Sequence, residues 1–139
     1  MRPVIVNQNF SAEPDMVFNA WLTPDIIKNW LFKSKTNEIS EVHIDARVDG
    51  AFSILEITDT GEEIDHFGKY QQIKKPNLLV FTLEVPKHFD GKTCVTIKIR
   101  PLAQGCTLAF MQTGVAPEIV EGNWIQMLQQ LKFVLDGEY

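Results

Sequence analysis

Four polar residues, Glu56, His66, Tyr70 and Gln112, are the positions of this 139-residue chain best suited to chemistry. In segments of two-residue alternation, each shares a face with apolar neighbours that must turn inward. A few polar groups converging in an apolar enclosure make a small-molecule site, because apolar walls supply affinity and polar groups fix orientation. Burial would raise the Glu56 carboxyl and make it a proton carrier. The plainer alternative is that the four satisfy one another and water, or sit near sheet edges, as most buried polar groups do.

Other chemistries have weaker support. His43, His66 and His88 share no ligand-like spacing, so no metal is expected. Cys94 and Cys106 fall on adjacent antiparallel strands, with Cys106 opposite roughly Arg100. That leaves Cys94 about six residues, on the order of 20 Å, further along, which predicts two reduced thiols. No Gly-x-Ser-x-Gly is present, neither cysteine has a basic neighbour, and no glycine-rich phosphate loop occurs. No cofactor is expected, no catalytic residue is assigned, and binding is favoured over catalysis.

The elements that must position these side chains follow from periodicity. Val4 to Phe10 alternates and reads as a strand. Met16 to Trp21 forms a short helical pattern capped by Ser11 or Asp15. Thr23-Pro24 caps a second short helix through Ile26, Ile27, Trp30 and Leu31. Six further strands are predicted over Ile39 to Ile44, Ala51 to Ile57, Ile64 to Ile73, Leu78 to Val85, Thr93 to Arg100 and Thr107 to Thr113. Glycine, proline and asparagine turns separate them, and short connections favour sequential antiparallel pairing.

The last stretch, Pro117 to Leu135, changes period. Val120, Trp124, Met127, Leu128, Leu131, Val134 and Leu135 recur at three and four, one stripe of a long helix. Glu121, Asn123, Gln126, Gln129, Gln130 and Lys132 take the polar side. Such a helix must lie on the apolar face of the sheet, made by Phe52, Ile54, Phe81, Phe110 and their neighbours. Trp124, Met127, Leu128 and Leu131 then form the ceiling of any cavity, and Trp30, ending a short helix before a loop, faces it. Lys33 reads as a solvated loop charge.

Eighteen acids against 13 bases give a formal charge of −5, which with no basic cluster argues against nucleic acid or anionic membrane as partner. No apolar run approaches the roughly 20 residues that span a bilayer, so no integral membrane association is expected. The N-terminus lacks a signal-peptide pattern, and a cytoplasmic location is the expectation. No linker or repeat divides residues 1–139, which read as one domain. Nothing in the sequence sets an oligomeric state.

Certain residues also carry a resemblance. They are the run Ala12 to Trp30 with Pro14, Val17-Phe18, Ala20-Trp21 and Thr23-Pro24, then Asp45 to Phe52, Gly68-Lys69-Tyr70, Pro76, Leu79 to Thr82, and Trp124, Leu128 and Leu131. In this order they resemble the helix-grip fold of the START-like SRPBCC superfamily, in the branch similar to the Aha-type activator of the heat-shock-protein-90 ATPase. Asp49-Gly50, Leu31 and Asn123 stand where that pattern has paired glycines, a second aromatic and a glycine. The resemblance implies an α+β helix-grip fold: two short helices after the first strand, and a curved antiparallel sheet of about six to seven strands around the long C-terminal helix.

The helix over the sheet predicts a binding protein for a small apolar or amphipathic molecule, lodged between them. The resemblance adds two alternatives: a co-chaperone-like module whose partner is a chaperone, and a cyclase- or dehydratase-like enzyme with Glu56 or His66 as general acid/base.

Overall fold

The structure is a computed structural model that describes residues 1–137; the last two positions of the expected 1–139 unit lie outside the described residues. Its elements run β1 (Val4–Phe10), α1 (Pro14–Asn19), α2 (Pro24–Ile27), β2 (Glu38–Ile44), β3 (Ala51–Ile57), β4 (Glu63–Lys74), β5 (Leu78–Leu83), β6 (Thr93–Pro101), β7 (Cys106–Thr113) and α3 (Pro117–Asp136). The strands make one antiparallel sheet in the order β1-β7-β6-β5-β4-β3-β2. Strands β2 to β7 pair sequentially through short turns, as expected. Strand β1 instead joins the far edge beside β7, and the chain between β1 and β2, with both short helices, returns from one edge to the other.

Alternation sets the inner face. Phe52 and Ile54, Leu79 and Phe81 and Leu83, Val95 and Ile97 and Ile99, and Leu108 and Phe110 are all buried there. Helix α3 lays Val120, Trp124, Met127, Leu128 and Leu131 onto this face. Each such large side chain contributes roughly 1.5–3 kcal/mol by leaving water. The helix begins with Pro117 at its first turn and ends at Gly137, whose φ of 78° permits the left-handed cap and a bond from its N–H to the Phe133 carbonyl. Its C-terminal end is tied down by Asp136, whose carboxylate accepts the backbone N–H groups of Ser11 and Ala12 and the Lys132 ammonium.

Strand β4 is the long rib of the sheet. It bulges between Tyr70 and Gln72, which lets it serve β3 along its first half and β5 along its second. Gly68 makes the close approach possible, because a Cβ there would overlap the Thr82 carbonyl oxygen. Asp49 adopts φ 68°, the left-handed geometry of the glycine it replaces in the resembled pattern.

Several local expectations are corrected. Helix α1 starts after Glu13, with no side-chain cap from Ser11 or Asp15: the Ser11 N–H is taken by Asp136, and Pro14 opens the helix. Thr23 does precede α2, but its hydroxyl donates backwards to the Asn19 carbonyl rather than serving as a cap bond. The helix ends at Ile27, before Trp30 and Leu31. Cys106 lies opposite Pro101, one residue from the expected partner, and Cys94 opposite Thr113; both thiols are free.

Candidate functional site

The register places Ile54 opposite His66 and Glu56 opposite Ile64, so Glu56 and His66 are diagonal neighbours on the inner face. Long side chains bridge that diagonal. Here His66 Nε2 lies 2.9 Å from Glu56 Oε1. The second carboxylate oxygen accepts a hydrogen bond from Asn37 Nδ2 at 2.8 Å, and the same amide donates to the Phe32 carbonyl at 2.8 Å. Asn37 Oδ1 takes the Ser34 N–H. The loop between α2 and β2 is thereby clamped onto the carboxylate.

Charge follows from these bonds. Burial pulls the Glu56 carboxyl upward, as sequence reasoning expects, but the bonds from His66 and Asn37 outweigh it and leave Glu56 below the usual carboxylate range. Burial pushes the His66 imidazole below its usual value, more than Glu56 raises it. At neutral pH the pair is therefore an ionised carboxylate and a neutral imidazole, with the imidazole proton on Nε2 and Nδ1 an acceptor. Nδ1 is buried with no hydrogen-bond partner among the described residues.

This pair lines a cavity of about 160 Å³ under the N-terminal half of α3. Its apolar walls are Phe32, Leu83, Val85, Val120, Trp124 and Met127, and the exposed residues Ser34, His88, Asn123 and Gln126 stand at its mouth. The ring of Phe32 stacks on His66 with centroids 3.8 Å apart and planes within 14°. Phe32 also borders a smaller hollow of about 10 Å³, shared with Trp21, Leu31, Ile44, Phe52, Ile54, Tyr70 and Phe81. It is thus the partition between the two, held at φ 59° by the Asn37 bond and by its N–H on Met127 Sδ at 3.0 Å.

The expected site residues divide into three groups. Glu56, His66, Gln112, Trp124 and Met127 meet at the larger cavity. Phe52, Ile54, Tyr70 and Phe81 line the smaller hollow, so Tyr70 is separated from the His66 group by Phe32. Trp30, Phe110, Leu128 and Leu131 border neither and are fully buried. Trp30 is the clearest correction: its indole N–H donates to the Ala20 carbonyl, and its ring meets Trp21 edge-on at 4.6 Å. A buried indole goes where its N–H finds an acceptor. Gln112 lies at the cavity wall but is committed to structure, accepting from Trp124 Nε1 and donating to Thr93 Oγ1, each at 2.9 Å.

Sequence reasoning missed Phe32, Asn37 and His88, all in segments without periodicity. It assigned Gln126 to the solvent side of α3, whereas Gln126 flanks the stripe and reaches the cavity mouth beside Asn123, whose place near that mouth the resemblance implies. It gave Lys33 to solvent, whereas the ammonium is turned onto the Ser34 and Asn37 carbonyls. Among the described residues no cluster of three or more potential metal ligands occurs, and no helix is long and apolar enough to cross a membrane.

Comparison with known proteins agrees with the geometry. The family model for "Activator of Hsp90 ATPase homolog 1-like protein" matches residues 11–136. A crystal structure of a protein from Chromobacterium violaceum superposes with a TM-score of 0.87 at 25% identity, covering 96% of each chain. The solution structure of an AHSA1-like protein from Aeromonas hydrophila gives 0.84 at 19% identity, covering 98% of this chain and 93% of that one. A protein from Mesorhizobium loti gives 0.76 at 24% identity, with 98% of each chain covered. These neighbours share the seven-stranded helix-grip architecture. Among curated proteins, none matches the chain.

Proposed function

The chain belongs to the family of activator-of-Hsp90-ATPase-homolog-1-like proteins, and from that premise we propose that it binds a small amphipathic molecule in the cavity between α3 and the sheet. The family supports a ligand-binding or interaction module. The observation that favours a ligand is the cavity itself, apolar on most of its wall and holding an ionised carboxylate at hydrogen-bond distance from a neutral imidazole. Trp124 on the wall makes occupancy measurable. Titration with a panel of small aromatic and aliphatic metabolites should change tryptophan fluorescence and raise the melting temperature; a panel without effect on either removes the reading.

The Glu56–His66 contact favours a second reading, in which the carboxylate acts as general base on a bound substrate. It requires that Glu56→Gln abolish turnover while leaving affinity for the substrate largely intact. The co-chaperone reading rests on the family description alone. It would take over if lysate pull-downs enriched a chaperone whose binding is indifferent to changes in the cavity wall.

A further inference from the structure

The hydrogen-bonding capacity left at the inner end of the cavity has a definite sign. Both hydrogens of the Asn37 amide are used, on Phe32 and Glu56, and its oxygen is taken by Ser34. The Gln112 amide is bound on both sides, with one amide hydrogen to spare. Lys33, the nearest ammonium, is turned onto two carbonyls at 2.6 and 2.7 Å. At that inner end the groups that would receive an anion are therefore mostly committed to the protein itself. The remaining donors, one N–H of Lys33, the O–H of Ser34 and the side chains of His88, Asn123 and Gln126, line the outer part of the cavity and its mouth.

Acceptors, in contrast, are in surplus. Each Glu56 oxygen accepts one bond from the protein, and a carboxylate offers about four lone-pair positions in all. The side chain keeps 13% exposure on the cavity wall, enough for a ligand atom to reach it. His66 Nδ1 is also an unpartnered acceptor, but it is fully buried, so the vacant Glu56 positions are the ones a ligand atom meets. The available space is of one-ring size, since an apolar cavity of about 150 Å³ holds a benzene.

We propose that this cavity selects a ligand of about one-ring size with an apolar body and a hydrogen-bond-donating head, an ammonium or hydroxyl group placed on Glu56, and discriminates against carboxylates of the same shape. This rests on the binding reading above. The donating head fills the vacant Glu56 positions, while the body lies against Phe32, Trp124 and Met127. A carboxylate in the same pose sets two negative charges against each other in a partly dry site and leaves the acceptors unmet.

Isothermal titration of the wild-type protein at neutral pH with benzylamine, benzyl alcohol, benzoate and toluene tests this. Benzylamine and benzyl alcohol should each bind at least about tenfold more tightly than benzoate, the worth of one charge-assisted hydrogen bond. Glu56→Gln, with its fold checked by melting temperature, should erase the advantage of benzylamine; the wild-type ranking stands as a test without it. Benzoate binding as tightly as benzylamine while toluene also binds would overturn the head-group assignment and leave the cavity reading intact. Absence of heat with all four probes would overturn both.

Discussion

The ring of Phe32 lies 3.8 Å, centroid to centroid, above the imidazole of His66, on a backbone with φ 59°. A β-carbon at positive φ costs roughly 1 kcal/mol that glycine does not incur. The loop tolerates that cost because Asn37 and Met127 bind the Phe32 carbonyl and N–H. Phe32→Ala and Phe32→Gly remove the same stacking and the same partition. Chemical denaturation should therefore show Phe32→Gly the more stable of the two by about 1 kcal/mol, the reverse of their order in a helix. If alanine is the better replacement, the strain assignment is wrong.

Asn37 holds that loop with three side-chain bonds, two donated and one accepted. Asn37→Ala should cost about 2–3 kcal/mol, because it also leaves the Phe32 carbonyl and Glu56 short of a donor. Hydrogen exchange resolved by residue should show faster exchange across 32–37 and little change in β6 and β7. A uniform increase across the sheet would mean that Asn37 supports the whole fold and not the cavity wall.

Acid should loosen the site in two steps. His66 is depressed in the folded state, so its contribution to stability is present above the unfolded imidazole pKa and is lost as pH falls below about 6.5. Glu56 is also depressed, so its contribution is lost only at lower pH, below the unfolded carboxyl value of about 4.3. His88 and Asp65 act on His66 in opposite senses and adjust the first step. Melting temperature against pH should fall below about 6.5 in the wild type and lose that first step in His66→Phe. Persistence of the first step in the variant would assign it to another group.

Gln112 separates structure from recognition. It joins Trp124 to Thr93, and Thr93 in turn donates to the Leu83 carbonyl at 2.7 Å, all within the core. Gln112→Leu strands the Trp124 N–H and should cost about 2–4 kcal/mol in denaturant titrations. The ranking of amine, alcohol and carboxylate probes should stay as in the wild type. A changed ranking would make Gln112 part of the head-group site.

What was legible in the sequence, and what was not, follows from periodicity. Two-residue alternation in β3 and β4 turns Glu56 and His66 to one face, and the three-four spacing of Val120, Trp124 and Leu128 turns them to meet it. Neither pattern reaches the chain between Leu31 and Glu38, where no repeat tells which side chain points inward. Phe32 and Asn37 belong to that gap, and their places depend on tertiary partners, Met127 and Glu56, roughly 95 and 19 positions away. Trp30 was misplaced for a related reason, since its orientation follows its indole N–H to Ala20 and not its place at the end of a short helix before a loop. The strand limits were easier, because glycine and proline turns mark them.

The central claim, that the space beneath α3 is a ligand site, can be read most directly at Met127. Of the four methionines, Met127 is buried at the cavity wall, whereas Met1, Met16 and Met111 are exposed elsewhere. In protein labelled with carbon-13 at its methionine methyls, titration with benzylamine should move the Met127 signal in a saturable way and leave the other three in place. A Met127 signal that stays fixed up to the solubility limit, or four signals that drift together, would contradict the account.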